Sequence, residues 1–570
     1  MIEELLRLGV DYFCVAPGSR NSPLSIALAQ NKKAVSCVHF DERGLAFHAM
    51  GYAAATHKPT VLISTSGTAA ANFFPAIIEA SKKKLPMIVL TADRPPELRQ
   101  TGALQTIDQV GLFGKHVQWA HDMPCPDRDI PASYVLTTMD QAWYQALRHR
   151  GVVHINCMYR PPLALESKEK GIADYIQSLE PWSESTRPLT DYVDGVSRLS
   201  IDVTDIVRRL EAVKNGVIVV GKIAGDNEAK WVLKLAAKLG WPVFPDISSG
   251  LRLGHQDIHL IHYFDAFLSS PNALKNLSFD GILHLGGRMT SKRYYEFAQN
   301  QKLKEYVMVL NHSLRNDPNH QVSLRIEASV TNFVQKIIGH MKPGKISTAL
   351  EFLSKANRET DKTIDAFWAQ YERISEPGVA RLVSRLIPKN GGLFLSNSMP
   401  IRDMASFADF KGPIVRVNGN RGASGIDGII ASASGYARGL KIPVTLMIGD
   451  LAALHDLNSL SLLRTLEYPL IIVVLNNGGG GIFSFLPISE FKEGFEKFWS
   501  TPHPYTLGAA ASMFELNYCM PQDGASFMKA YKAAFKTKTS TIIEVMTTRL
   551  ENLKVHRLLQ EAINNELHPT

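Results

Sequence analysis

The segment Val444-Thr-Leu-Met-Ile-Gly-Asp-Leu451 is an apolar, β-branched run that stops at a glycine and a carboxylate. The 25 residues Ala452 to Asn476 then carry the chain through a second apolar run, Leu470–Leu475, to Asn477. Short runs of unbroken apolar residues suit strands covered on both faces, and a helical pattern between them makes the crossover of a parallel pair. Adjacent parallel strands would deliver a carboxylate, Asp450, and an amide, Asn477, to one sheet edge. That edge, beyond the strand C-termini, is where open α/β sheets bind ligands. One carboxylate, one carboxamide and main-chain carbonyls form a hard-oxygen site suited to Mg2+. Gly478-Gly-Gly-Gly481 is a turn flexible enough to bring its carbonyls to such an ion.

The same alternation extends outward. Apolar runs at Val61–Ser64, Met87–Thr91, Val152–Asn156, Val217–Val220, Gly281–Leu285, Val307–Asn311 and Thr541–Val545 are each separated by helical patterns. The fold class is therefore α/β, with three mainly parallel sheets flanked by helices. Two polar, proline-bearing stretches, Glu166–Arg198 and Gly339–Ser347, read as linkers. They divide the chain into domains at 1–165, 195–340 and 347–570.

Composition removes several function classes. A net charge of +8 over 570 residues, with no Lys/Arg-dense tract, argues against nucleic acid and is compatible with anionic metabolites. The five cysteines include no C-x-x-C pair, so neither a zinc site nor a disulfide framework is expected, and a reducing cytoplasm is favoured. Met-Ile-Glu-Glu lacks the basic start of a signal peptide, and no apolar run approaches a membrane span. The expectation is a soluble, cytoplasmic protein.

Two motifs compete and are set aside. Gly216-Val-Ile-Val-Val-Gly-Lys222 has the glycine and lysine spacing of a P-loop, but Ile223 stands where magnesium needs a hydroxyl. His255, His259 and His262 would share a helical face, with Asp257 pointing away, which reads as a partly exposed histidine face more readily than a metal site.

Two further stretches carry chemistry. Asn420-Arg-Gly-Ala-Ser-Gly-Ile-Asp-Gly428 leads into a helix over Ile429–Gly439, so its N–H groups are either a phosphate cradle or a glycine-rich cap. Asp41-Glu42, at a strand-to-helix junction, reads by itself as an acidic first turn complementing the helix dipole.

Gly449-Asp450 followed by Asn476-Asn477 at this separation resembles the signature of thiamine-diphosphate enzymes. The resemblance implies a metal, Mg2+ or Mn2+, held by Asp450, Asn477 and the Gly479 carbonyl and gripping the cofactor diphosphate. It also implies cofactor contacts from Ser424, Gly425, Ile426, Gly449, Leu451, Ile482 and Phe483. Paired with that motif, Glu42 becomes the catalytic carboxylate against the aminopyrimidine ring. Because such sites join domains of two subunits, a homodimer or homotetramer is implied.

Four segments narrow the resemblance: Ala16-Pro-Gly-Ser-Arg-Asn-Ser-Pro23, Leu90-Thr-Ala-Asp-Arg-Pro-Pro-Glu97, Gly102-Ala-Leu-Gln-Thr-Ile107 and Asn420–Gly428. Together they are similar to the 2-succinyl-5-enolpyruvyl-6-hydroxy-3-cyclohexene-1-carboxylate synthase family of menaquinone biosynthesis. That family commonly lacks the third glycine of the metal motif, which accounts for Leu451. Relative to it, the chain begins inside the first helix. The implied reaction joins 2-oxoglutarate to isochorismate with loss of carbon dioxide. Both substrates are dianions, and arginine suits bidentate carboxylate binding. Ser19, Arg20, Arg94, Gln105, Lys292, Arg293, Ser398, Arg402 and Arg421 fall at the family's substrate positions. For each cation the alternative is a surface ion pair. Alternatives for the whole chain are another thiamine-diphosphate 2-oxo acid decarboxylase, an acetohydroxyacid-synthase-like enzyme, or a non-catalytic metabolite binder.

Overall fold

Alternating apolar runs and amphipathic helices give three parallel sheets in the computed structural model, which describes residues 1–164, 172–192, 202–275 and 277–567. The first sheet contains β1 (Phe13–Val15), β2 (Ser36–Val38), β3 (Thr60–Ser64), β4 (Met87–Asp93), β5 (Trp119–Met123) and β6 (Val152–Met158), in the order β2-β1-β3-β4-β6-β5. The second contains β7 (Gly216–Val220), β8 (Val243–Pro245), β9 (Gly281–Leu285), β10 (Glu305–Leu310) and β11 (Leu324–Glu327), ordered β11-β10-β9-β7-β8. The third contains β12 (Gly392–Leu395), β13 (Arg416–Asn418), β14 (Val444–Gly449), β15 (Leu470–Asn476), β16 (Asn517–Cys519) and β17 (Thr541–Met546), ordered β13-β12-β14-β15-β17-β16. β14 and β15 are neighbours, so their C-terminal ends share an edge.

Each apolar run read from the sequence is a strand, and β4, β6, β9, β15 and β17 are buried along nearly their whole length. The strands not named from the sequence are short; some, such as Gly392–Leu395, are apolar and buried, and others, such as Trp119–Met123, are partly polar.

The chain packs as two compact units. One contains residues 1–195, 420–442 and 452–470; the other contains 196–419, 443–451 and 471–570. In the first, the helix Glu42–Thr56 lies against the helix Ile429–Leu440. Contact is backbone-close: a Cβ on Gly51 would lie 2.0 Å from the Ser432 carbonyl oxygen, and one on Gly435 1.9 Å from that of His48. His48 bridges Ser434 Oγ at 2.7 Å and Tyr12 Oη at 2.9 Å, and burial depresses its pKa to about 3, leaving the ring neutral.

The stretch Glu166–Arg198 lies partly outside the described residues. Its described part is helical at Ile172–Gln177 and Glu180–Ser183. Leu179 and Trp182 pack with Ala132 and Leu136, and Trp182 Nε1 donates to Glu4 Oε2 at 2.6 Å. Apolar contact therefore holds this part of the expected linker to the first unit.

In the second unit, Gly216–Val220 is a fully buried strand, and Gly221 abuts Gly287 so closely that a Cβ would lie 1.8 Å from its carbonyl oxygen. No phosphate-cradling loop forms there. The histidine face also fails, because residues 255–262 are not helical. A turn brings Asp257 Oδ1 to His259 Nδ1 at 2.7 Å, and His262 is buried with its Nε2 on the His255 carbonyl.

Candidate functional site

Asp450 is the first residue after β14 and opens the helix Asp450–His455. It is buried, and its carboxylate accepts N–H groups from Leu451 (2.7 Å, to Oδ1) and Gly479 (2.9 Å, to Oδ2). Burial outweighs those bonds and raises its pKa. His503 Nε2 stands 3.3 Å from Oδ2 without hydrogen-bond geometry.

Asn477 follows β15. Its Nδ2 donates to Glu376 Oε1 at 2.9 Å, while its Oδ1 is buried with no hydrogen-bond partner among the described residues. A buried amide oxygen without a donor costs about 1–3 kcal/mol, so it marks a place where a further group belongs. Gly479 has φ +150°, and a Cβ there would lie 2.4 Å from the Ser500 carbonyl oxygen. The Gly479 carbonyl accepts the Gly481 N–H at 3.0 Å and retains a second lone pair. A desolvated carboxylate and an orphaned amide oxygen, joined by the Gly479 turn, fit a hard divalent cation. Among the described residues no group of three or more His, Cys, Asp or Glu is arranged for a metal, so a cation here would rest on this mixed oxygen set.

Sequence reading missed the groups behind Asn477. Glu376, the first residue of the helix Glu376–Leu386, is 1% exposed. Burial, then the nearby Asp403, pushes its carboxyl up to about 7. Thr547, just past β17, also donates to Glu376 Oε1, at 3.1 Å. Asp403 is itself buried and meets His556 Nε2 at 2.7 Å. Burial disfavours the charged His556 ring, but the Asp403 carboxylate prevails and raises its pKa. His556 then lines a cavity with Arg293, Asp265, Phe407 and Phe485. No local pattern could have revealed a set drawn from three separate helices.

Other expected residues in this unit fall into separate groups. Arg402 Nη1 donates to the Ser398 carbonyl oxygen, and Ser398 takes φ +69° before the helix Met399–Phe407. Lys292 is 89% exposed and pairs with Glu296, and Arg293 pairs with Asp265 at 2.5 Å. Each thus pairs with a carboxylate of the chain itself. Leu451 is half-buried, as are Ile482 and Phe483, which belong to the 3-10 turn Gly481–Phe485.

In the first unit, Asp41 caps the helix that begins at Glu42, accepting Gly44 N–H at 3.1 Å. Capping thus falls to Asp41, while among the described residues the Glu42 carboxylate accepts only a side-chain amide, Asn72 Nδ2, at 3.1 Å. Arg20 is buried, with Nη1 on the Tyr159 carbonyl oxygen at 2.7 Å, and Arg94 follows β4 with its N–H on Asp93 Oδ1. The Nε atoms of both arginines are buried without a partner among the described residues. Ser19 and Gln105 are exposed.

The loop before the helix Ile429–Leu440 meets carboxylates of the chain itself. The N–H groups of Gly422, Ala423 and Ser424 donate to the Glu79 carboxylate at 2.7, 2.5 and 3.2 Å. Ala431 N–H, in the first helical turn, donates to Asp456 Oδ2 at 3.0 Å. Two of the chain's own carboxylates occupy donors that the sequence reading offered to phosphate. Asp456 is 1% exposed, and burial lifts its pKa to about 6. Gly425, Ile426 and Arg421 lie on the same loop, with Ile426 40% exposed.

Among the described residues no helix is long and apolar enough to cross a membrane. Comparison with known proteins matches three family models along the chain. They are the thiamine pyrophosphate enzyme N-terminal TPP binding domain over residues 1–112, the middle domain of thiamine pyrophosphate enzymes over 173–395, and the C-terminal TPP binding domain over 404–545. Proteins named 2-succinyl-5-enolpyruvyl-6-hydroxy-3-cyclohexene-1-carboxylate synthase are similar over nearly the full length. One from Rubrobacter xylanophilus is 44% identical, covering 98% of this chain and 96% of its own. One from Prosthecochloris aestuarii is 40% identical, covering 100% and 97%. A third, from Pelodictyon phaeoclathratiforme, is 42% identical, covering 100% and 96%.

Proposed function

The chain belongs to the 2-succinyl-5-enolpyruvyl-6-hydroxy-3-cyclohexene-1-carboxylate synthases, a family of thiamine pyrophosphate enzymes, and from that membership we propose that it joins 2-oxoglutarate to isochorismate with loss of carbon dioxide in menaquinone biosynthesis. The observation that carries the reading is the pairing, at neighbouring strand ends, of a desolvated Asp450 carboxylate with an Asn477 Oδ1 that has no hydrogen-bond partner among the described residues. Asp450, Asn477 and the Gly479 carbonyl would hold Mg2+ or Mn2+, and through it the cofactor diphosphate. When bound, thiamine diphosphate supplies the electron sink for the charge left as the 2-oxo acid loses carbon dioxide.

The remaining work falls to the chain's own residues. Glu42 holds a proton between its carboxylate and the aminopyrimidine ring nitrogen. Ser424, Gly425, Ile426, Gly449 and Leu451 line the cofactor. Ile482 and Phe483 exclude water from the reacting carbons. Arg20 and Arg94 each have a buried, unpartnered Nε to offer a carboxylate, and each such charge-assisted bond contributes about 1.5–3 kcal/mol. Ser19, Gln105, Lys292, Arg293, Ser398, Arg402 and Arg421 complete the binding of two dianions. In this reading Glu42 of one copy serves the cofactor held by Asp450 and Asn477 of another, in a homodimer or homotetramer.

The deciding assay supplies thiamine diphosphate, Mg2+, 2-oxoglutarate and isochorismate and follows isochorismate loss. Consumption that requires all four supports the reading. Decarboxylation of pyruvate with isochorismate untouched would replace it with a simpler 2-oxo acid decarboxylase.

A further inference from the structure

Asn477 can present either its oxygen or its amide nitrogen to the space beside Asp450, and nothing in its own backbone chooses between them. The choice is made from behind. Glu376 Oε1 accepts the Asn477 Nδ2–H at 2.9 Å; with Glu376 ionised, turning the amide over would set two acceptor oxygens against each other. Glu376 cannot easily turn away. It is 1% exposed, sits at the first position of a helix whose N-terminus favours a carboxylate, and has the same Oε1 fixed by Thr547 Oγ1. The Gly481 backbone also runs close beside the amide: a Cβ there would lie 2.6 Å from Asn477 Nδ2.

We infer that Glu376 is a positioning residue for the metal site: its carboxylate locks the Asn477 amide with Oδ1 turned toward the cation. This rests on the assignment of Asn477 as a metal ligand. Partners of this kind typically carry 10–100-fold in metal affinity without touching the ion.

The test is Mn2+ affinity of the full-length protein with thiamine diphosphate present, read from the electron paramagnetic resonance signal of free Mn2+. Asn477→Asp alone sets two carboxylates in contact and should weaken Mn2+ by at least about tenfold. Adding Glu376→Gln restores a donor facing an acceptor, with the bond reversed, and should recover most of that loss. Glu376→Gln alone still offers an amide oxygen to Asn477 and should change affinity by less than about threefold. A purely structural Glu376 predicts no such rescue, so a double variant no better than Asn477→Asp overturns the inference. Asp450→Asn keeps the two claims separate. If neither Asp450→Asn nor Asn477→Asp weakens Mn2+, the metal site itself is wrong. If both weaken it and Glu376→Gln rescues nothing, only the positioning role falls.

Discussion

The Gly479 N–H donates to Asp450 Oδ2 at 2.9 Å, tying the turn after β15 to the end of β14. Gly479 holds φ +150°, a conformation open to glycine, and sits against the Ser500 carbonyl where a Cβ would come within 2.4 Å. The position of Asp450 therefore depends on the absence of a side chain 29 residues further on.

Gly479→Ala should accordingly disturb the site through the backbone. The expected result is a stability loss of roughly 1–3 kcal/mol, the usual cost of a strained backbone position, together with weaker Mn2+ binding. Denaturant unfolding and the Mn2+ titration measure the two effects. A variant with unchanged midpoint and affinity would show that the turn relaxes freely.

Glu42→Gln should leave folding intact, because Asp41 caps that helix. Turnover should fall by roughly 10²–10⁴-fold, the range for loss of general acid–base participation. Near-normal isochorismate consumption would remove Glu42 from the mechanism.

Mixing provides a separate check on the proposed assembly. Glu42→Gln and Asp450→Asn should each be nearly inactive alone. If each site takes Glu42 from one copy and Asp450 from another, hybrids formed by co-expression contain one intact pair and regain activity. Hybrids as inactive as the parents would argue against sharing between copies.

Acid stability should track Asp361. Arg381 is buried and contacts Asp361 Oδ1 at 2.7 Å, Asp365 at 2.6 Å and Tyr263 Oη at 2.6 Å, while Lys411 Nζ meets Asp361 Oδ2 at 2.5 Å. Burial opposes charge on Asp361, but Lys411, Tyr263 and Arg381 prevail and hold its pKa at about 2. A folded pKa below the unfolded one contributes stability above pH ~4 that is lost as pH falls through about 2; here it is worth about 2 kcal/mol. Arg381→Met should cost roughly 3–5 kcal/mol at neutral pH, since it strands buried carboxylates. It should also shrink the pH dependence of the unfolding midpoint between pH 4 and 2, with Lys411 retaining part of it. An unchanged acid limb would show that Arg381 does not set the Asp361 pKa.

The fold and the places of Asp450 and Asn477 at strand ends were legible for one physical reason. A strand buried on both faces must be apolar throughout, so Val444–Ile448 and Leu470–Leu475 announce themselves, and whatever follows each lies at the shared edge. Short strands such as Ser36–Val38, with exposed side chains, carry no comparable signal. The loop Asn420–Gly428 reads as either a phosphate cradle or a glycine-rich cap, because it leads into a helix N-terminus whose partners are not local in sequence. Glu79, some 340 residues away in sequence, supplies one.

Sequence alone therefore determined the α/β class, the three sheets and the places of Asp450 and Asn477 at neighbouring strand ends, because period and strand ends are local properties of a chain. Tertiary structure alone decided which donors stay free. Glu79 and Asp456 take the N–H groups of one loop, Asp41 caps the helix beside Glu42, and Glu376 occupies the nitrogen side of Asn477. A buried polar group must find a partner wherever the fold brings one, at any distance along the chain. Among the described residues the amide oxygen of Asn477 is left without such a partner.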